Sequence, residues 1–354
     1  MIVPARNESA TIATVVGSVL ASTYPALELI VVDDRSTDDT GAVVAALARD
    51  DARLRLVHGA ELPEGWYGKP WACLQGARTA RGDILCFTDA DTRHAPALLA
   101  HAVGALRAER PALLTIAPHQ ATVTLWERLV MPQIWHLLGF RFHPRVVNRA
   151  TRARDVIANG QFIVMPRAAY EAVGTHETVR HEVAEDLALA QACFRRGGRV
   201  FFAFAESLME TRMYTGLAHL VEGWSKNVYL GGRRSFPDEP VLRALVPVAL
   251  AGVMLFWLLP VIALALGIAA PAMGAAVALS ALFWMLMCGG MRIPPWYGLG
   301  YPLGALLVLY IVLRSTWRGR RQVSWRGRVY TESAVPGGAV SARPETPGPR
   351  AGPR

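Results

Sequence analysis

Charge is scarce in this chain. Asp, Glu, Lys and Arg make up 18% of its 354 residues, and across residues 244–313 only Arg292 is charged. No path of intramembrane charges is visible there, which argues against a channel or transporter. Cysteine is sparse as well. Cys73, Cys86, Cys193 and Cys288 are scattered without a CxxC, the pattern of buried reduced thiols rather than of a disulfide frame. The nine histidines show no HxxxH or HxH spacing, so no zinc site is expected. No signal peptide is visible. The chain carries a formal charge of +9, much of it in Arg233-Arg234 and in residues 314–328. No basic stripe is interleaved with aromatics outside those flanks, so nucleic acid is not expected as a partner.

What the chain has in quantity is apolar surface. Hydrophobic residues are 52% of the total, and the excess sits in the last third. Residues 244–268, 271–291 and 299–313 are three apolar segments. The first two meet the requirement of roughly 20 residues for a bilayer span. Three spans would put the two basic flanks on opposite sides, against the positive-inside tendency. Either that tendency fails here, or one segment is re-entrant or interfacial. The expected organisation is a catalytic-type domain over 1–235, two to three membrane helices over 241–315, a basic interfacial segment over 316–332 and a disordered tail over 333–354. A cell-membrane, multi-pass location with a cytoplasmic N-terminal domain follows from it.

The first half alternates strand and helix. Strands are expected at the N-terminus and at 27–32, 54–57, 84–88, 113–117, 162–165 and 199–204. Helices are expected at 10–20, 40–48, 71–80, 96–109, 186–194 and 217–230. Apolar strands separated by helix-length segments predict an α/β domain with a parallel sheet covered on both faces. Residues 123–140 read either as a core helix broken by Pro132 or as an interfacial helix. Met1 falls directly on the first strand. Either residues precede it or the strand is short, and an N-terminal membrane anchor is a candidate for such a missing segment.

Ligands of such sheets bind beyond the carboxyl ends of the strands, and three acidic sites fall at suitable places. Asp33-Asp34 closes the second strand. Two adjacent acids there are costly without a partner, and a ribose hydroxyl or base N–H would serve one of them. Asp38, Asp39 or Thr40 can cap the following helix. Asp89-Ala90-Asp91 closes another strand, and hard oxygens at i and i+2 suit Mg²⁺ or Mn²⁺ together with substrate phosphates. The bland alternative is an Asp-rich turn. Lys69 lies in a glycine-bounded loop, where it is either solvated or set against a phosphate. Glu185-Asp186 opens a helix, either to favour its dipole or to place a general base. Pro4-Ala5-Arg6-Asn7-Glu8 can meet a base or ribose, or cap a helix. Asn159-Gly160-Gln161 can hydrogen-bond an acceptor or a sugar.

Taken in order, PARNE, DDxSxD, GK, DAD, GQF and ED resemble the family 2 glycosyltransferases over roughly residues 1–230. The stretches WYGKPWACLQGA, EDLALA and RMYTGLAHLVEGWSKN are similar to a membrane-attached bacterial branch that includes carotenoid- and hopanoid-associated enzymes. The resemblance implies a GT-A fold. It implies that Pro4, Asn7, Glu8, Asp33, Asp34, Lys69 and Asp89 meet the nucleotide-sugar donor, that Asp91 with Asp89 binds Mg²⁺ or Mn²⁺, and that Asp186, beside Glu185, is the base of an inverting displacement. Gly160, Gln161 and Trp224 are the candidate contacts to acceptor or sugar. The QxxRW motif of processive relatives is absent, and Gly223-Trp224-Ser225-Lys226-Asn227 occupies that region. The expected function is transfer of one sugar, from UDP-hexose, to a membrane lipid such as a carotenoid, hopanoid or glycerolipid. A processive polysaccharide synthase and a catalytically silent nucleotide-sugar-binding membrane scaffold are the alternatives.

Overall fold

A computed structural model describes residues 1–318 and the backbone of three short strands after them. The elements of the N-terminal part are, in chain order, β1 (Ile2–Ala5), α1 (Ile12–Leu20), β2 (Leu29–Asp33), α2 (Thr40–Asp50), β3 (Leu54–His58), α3 (Gly68–Thr79), β4 (Ile84–Thr88), β5 (Thr92–His94), α4 (Leu98–Glu109), β6 (Leu113–Ala117), β7 (His119–Gln120) and α5 (Leu125–Arg141). There follow α6 (Pro144–Val147), β8 (Phe162–Pro166), α7 (Arg167–Ala172), α8 (Glu185–Arg195), β9 (Val200–Phe204), β10 (Met209–Thr211) and α9 (Leu217–Arg234). The apolar helices are α10 (Pro240–Ala265), α11 (Ala270–Gly290) and α12 (Tyr301–Arg318).

Seven strands form one sheet in the order β3-β2-β1-β4-β8-β6-β9. Its central strands are buried on both faces, which is why they read as continuous apolar runs. Alternate residues feed two cores. Ile2, Ile30, Val32, Leu85 and Phe87 face one. Val3, Leu29, Val31 and Cys86 face the other. A smaller sheet, β5-β10-β7, lies beside it.

The sheet is mostly, not wholly, parallel. β8 runs antiparallel to both neighbours, with Thr88 paired to Phe162 and Leu114 to Val164. A hydrophobic run of this length reads the same in either direction. The reversal matters because it brings the start of β8, and with it Gly160 and Gln161, to the edge where β4 ends at Thr88. In a wholly parallel sheet those residues would sit at the opposite edge.

Three expectations are revised. α3 begins at Gly68, three residues before the expected start, so Lys69 stands in its first turn rather than in a loop. α5 continues through Pro132 unbroken, entered by a capping box between Thr124 and Glu127. It is a core helix where Leu129, Val130, Met131 and Ile134 are buried, while Phe140 is exposed near its end. Beyond α12, Val323–Trp325, Arg328–Glu332 and Val340–Pro344 form an antiparallel three-stranded sheet. The expected disordered tail, residues 333–354, therefore contains a paired strand, and the rest of it lies outside the described residues.

Three stretches, Pro240–Ala265, Ala270–Gly290 and Pro295–Arg318, are long and apolar enough to cross a bilayer. They pack on the N-terminal domain through close approaches. Gly304 of α12 meets the backbone of Leu129 in α5, with no room for a Cβ.

Gly76 makes the equivalent contact inside the domain, pressing α3 onto Ile2 and Val32. Both neighbours are fully buried. Gly76→Ala is expected to lower stability by about 1–3 kcal/mol, the usual cost of overpacking. A lowered melting temperature in detergent is the readout, and an unchanged one would show that α3 can lift off the sheet without penalty.

Candidate active site

The parallel neighbours β2, β1 and β4 present their carboxyl ends side by side, and two loops are stitched together there. Asn7 has a left-handed backbone, with φ of 54°. Its side-chain oxygen accepts from the Thr37 N–H at 2.8 Å, and its own N–H donates to Ser36 Oγ at 3.0 Å. The Glu8 N–H donates to Thr40 Oγ1 at 2.8 Å. Arg6 donates to the carbonyls of Asp34 and Arg35. The residues expected at a nucleotide, Pro4, Asn7, Glu8, Asp33 and Asp34, are thus held in one edge.

Asp33 is less dependent on a ligand than its position suggested. Its carboxylate accepts from the Ser36 N–H at 3.0 Å. It also lies against Gly41 in the first turn of α2, where a Cβ would stand 2.7 Å from Oδ2. A helix N-terminus favours such a charge. Asp34 is wholly buried beneath the loop. Asp38, read from sequence only as a candidate cap, is the acid that ties the two loops. It accepts from Thr40 and from the Ser9 N–H. Burial opposes its charge, yet those bonds hold its carboxyl at about 2.

The second half of the site is built around one cation. Lys69 Nζ lies 2.7 Å from Asp89 Oδ1 and 2.9 Å from Glu185 Oε1. β4 supplies Asp89, α3 supplies Lys69, and the N-terminus of α8 supplies Glu185 and Asp186. Asp186 accepts from the Gly160 N–H at 2.7 Å with Oδ2 and from the Leu187 N–H at 2.7 Å with Oδ1. Gly160 leaves room for both side chains here. A Cβ at that position would stand 2.8 Å from Lys69 Nζ and 3.1 Å from Asp186 Oδ2.

Three carboxylates sharing one lysine cannot all titrate normally. Burial works against the Lys69 charge, but Asp89, Glu185 and Asp186 outweigh it and hold the ammonium well above its usual range. Burial likewise opposes Glu185, and Lys69 overcomes it, so Glu185 is held low. Burial wins at Asp89, which is raised despite Lys69. Burial and then the neighbouring Glu185 push Asp186 up to about 6. A carboxyl with that value can exchange a proton near neutral pH.

Asp91 turns elsewhere. It lies close enough to Tyr214 to add to the burial that raises that phenol. Among the described residues, no three His, Cys, Asp or Glu side chains converge as a ready metal site. Asp89 and Asp91 still offer hard oxygens two residues apart at one strand end. Mg²⁺ is commonly held by one or two carboxylates plus phosphates and water. The pair fits an ion that arrives with a phosphate ligand, and does not fit a resident, fully protein-ligated one.

These groups open on a cavity of about 1000 Å³. Lys69, Asp89, Glu185 and Asp186 stand on its polar side. Ile134 and Leu138 of α5, Leu250 of α10, Met287 of α11 and Val312 of α12 line the apolar remainder. Gln161 is fixed in the wall, its side-chain oxygen accepting from Gln120 at 3.1 Å and Asn159 at 3.0 Å. Trp224 is also a wall residue. It is buried, and its indole N–H points at Met131 Sδ, 3.4 Å away. Sequence reading passed over Gln120, Tyr214 and Lys226. Lys226 faces the site from α9, and its charge acts on Asp89. The only signal for it was its place in the GWSKN stretch.

Residues 1–173 match the family described as Glycosyl transferase family 2. The 4,4'-diaponeurosporenoate glycosyltransferase of Staphylococcus haemolyticus is 26% identical over 246 residues, which cover 68% of this chain and 64% of that protein. The protein of the same name from Staphylococcus aureus is 27% identical over 245 residues, covering 67% of this chain and 62% of that one. The match thus spans less than two thirds of either relative. Among solved structures, mannosyltransferase PcManGT from Pyrobaculum calidifontis, in complex with GDP-Man and Mn²⁺, shares the fold with a TM-score of 0.57 at 21% identity. The likeness covers 89% of this chain and 86% of that one.

The shared lysine generates a stability prediction. Lys69→Met leaves buried carboxylates without their cation, which costs about 3–5 kcal/mol for a broken buried pair. Without it the folded-state values of Glu185, Asp89 and Asp186 all rise above their unfolded ones. Stability is then greatest at low pH and is lost as pH rises through those values. The melting temperature of the variant, measured from pH 8 to pH 5, is expected to climb more steeply than that of the parent. Parallel profiles would show that the lysine does not bear the cluster's charge.

Proposed function

We propose that the whole chain, whose residues 1–173 match the family described as Glycosyl transferase family 2, transfers one sugar, with inversion, from a nucleotide-sugar donor to a membrane lipid. The observation that carries this reading is the cavity. Its polar side holds a carboxylate of pKa about 6, and its other walls belong to helices apolar enough for a bilayer. A long apolar acceptor with a polar end suits that division. The curated relatives, by name, glycosylate 4,4'-diaponeurosporenoate, which supports a carotenoid-like acceptor over a hopanoid or glycerolipid. The donor is proposed as a UDP-hexose. The location is the cell membrane, with the catalytic domain on the cytoplasmic side.

In this mechanism the acceptor oxygen attacks the anomeric carbon from the face opposite the diphosphate. The bond from that carbon to the diphosphate oxygen breaks as the new bond forms. With a hydroxyl acceptor, Asp186 takes the hydroxyl proton, held in place by the Gly160 and Leu187 N–H groups. Asp91 and Asp89 would hold Mg²⁺ or Mn²⁺, which supplies charge neutralisation for the leaving diphosphate. Lys69 adds a second positive charge on the same side. The edge formed by Asn7, Glu8, Asp33 and Asp34 receives the nucleoside. The missing QxxRW motif favours a single transfer over a processive synthase. The Lys69–Asp89–Glu185 cluster with Asp186 favours catalysis over a silent scaffold.

The test uses membranes containing the full chain, labelled nucleotide sugars and Mn²⁺ or Mg²⁺, with label counted in the organic extract. Asp186→Asn is expected to lower turnover about 10²–10⁴-fold while donor binding persists. The parent's turnover is expected to fall below about pH 6, because Asp186 must be deprotonated to act. A carboxylate acceptor carries no proton at neutral pH and needs no base. Near-parental transfer by Asp186→Asn would overturn the base assignment and point to that nucleophile instead.

A further inference from the structure

The third apolar helix has the length of a span, but both of its ends are tied to the catalytic domain. At its start, the Tyr301 carbonyl accepts from Gln133 of α5 at 3.2 Å, and Gly304 abuts Leu129. Near its end, Ser315 Oγ accepts from the Tyr229 N–H of α9 at 2.9 Å, and Arg314 and Arg318 both pair with Glu222 of α9. An 18-residue helix is about 27 Å long, close to the ~30 Å of a hydrocarbon core. Were α12 to cross that core, α5 and α9 would be carried into it alongside, with Glu222 and Lys226. Bare hydrocarbon does not admit such side chains cheaply.

α10 and α11 follow α12 rather than leaving it. Val246 of α10 packs where Gly232 of α9 leaves room, and a Cβ there would stand 2.8 Å from it. Further along, Trp257 stacks on Phe283 of α11 at 5.2 Å and meets Tyr301 of α12 at 6.4 Å. Phe283 and Trp284 in turn contact His136 of α5. Only the tip of the α10–α11 hairpin extends past this aromatic layer. The part of α10 beyond Trp257 rises about 12 Å, and the part of α11 before Phe283 about 20 Å. Neither reaches across a core of ~30 Å.

We infer that α10, α11 and α12 enter one leaflet, on the side of the catalytic domain, and that none of them crosses the bilayer. The surface they present is apolar: Leu245, Phe256, Leu259, Leu282, Leu306 and Leu313 are all exposed. Basic residues border it, Arg233 and Arg234 at the end of α9 and Arg314 and Arg318 at the end of α12. This is the chemistry of a leaflet with anionic headgroups. Both basic flanks then lie on one side, and the conflict with the positive-inside tendency disappears. The inference concerns how the chain meets lipid and stands independently of the transfer chemistry.

The test places single cysteines in the full chain and probes sealed vesicles of both orientations with a membrane-impermeant maleimide. The four native cysteines are buried, so the parent chain is the blank. Asp50→Cys marks the domain's side. Ile268→Cys and Leu266→Cys probe the exposed connection between α10 and α11. A cysteine appended after Arg354 marks the C-terminus. The expected result is an appended cysteine that reacts on the same side as Asp50→Cys, and connection cysteines that react on neither side until detergent is added. Reaction of the connection from the side opposite Asp50→Cys would show that the hairpin crosses. Reaction of the appended cysteine from that opposite side would show that α12 crosses. Either overturns the inference. Reaction of the connection on the Asp50 side before detergent would also overturn it, and would remove the membrane reading, while leaving the label-transfer assay to judge the chemistry separately.

Discussion

The ammonium of Lys69 is the point on which the site depends. Without it, buried Glu185 and half-buried Asp89 and Asp186 would be carboxylates crowded together without a cation, an arrangement that favours taking up protons. With it, they divide into distinct states. Glu185 stays charged because the lysine is 2.9 Å away. Asp186, which spends its hydrogen bonds on Gly160 and Leu187, is left to titrate near neutrality. One cation therefore does more than balance charge. It decides which carboxylate is available to a proton.

The rest of the domain serves to bring those groups together from distant parts of the chain. Parallel strands β1, β2 and β4 place the Asn7 and Asp33 loops beside Asp89. The antiparallel β8 then returns Gly160 and Gln161 to the same edge. The glycine at 160 lets the lysine and the aspartate close around the backbone. The apolar helices complete the cavity from the other side, so the Lys69 cluster and the apolar walls line one open cavity.

Much of this was legible in the sequence. Apolar runs bounded by helix-length segments located the seven strands of the main sheet within a residue or two, because burial on both faces leaves a continuous signature, but missed β5, β7 and β10. Asp186 was legible because an acidic pair at a helix start is conspicuous. The direction of β8 was not, since Phe162-Ile163-Val164-Met165 is equally apolar in either sense. Lys69 was set in a loop because glycines bound that stretch, whereas Gly68 stands in the first turn of α3, where its cost is small. Asp38 and Lys226 were passed over or left unassigned for a common reason. Each acts across a fold contact, to Ser9 and toward Asp89 respectively, that no local pattern announces. The course of α12 was hidden in the same way, because hydropathy records what a helix is made of and not what its two ends hold.

The junction of α9 and α12 carries one further implication. Two guanidiniums, from Arg314 and Arg318, share the single carboxylate of Glu222. Among the described residues, the junction therefore has one positive charge more than Glu222 balances. α9 is also the helix that sets Trp224 and Lys226 in the cavity wall. An anion at that surplus would complete the set of charges without displacing Glu222. The ionic surroundings of that junction thereby bear on the helix that holds Trp224 and Lys226 in the cavity wall.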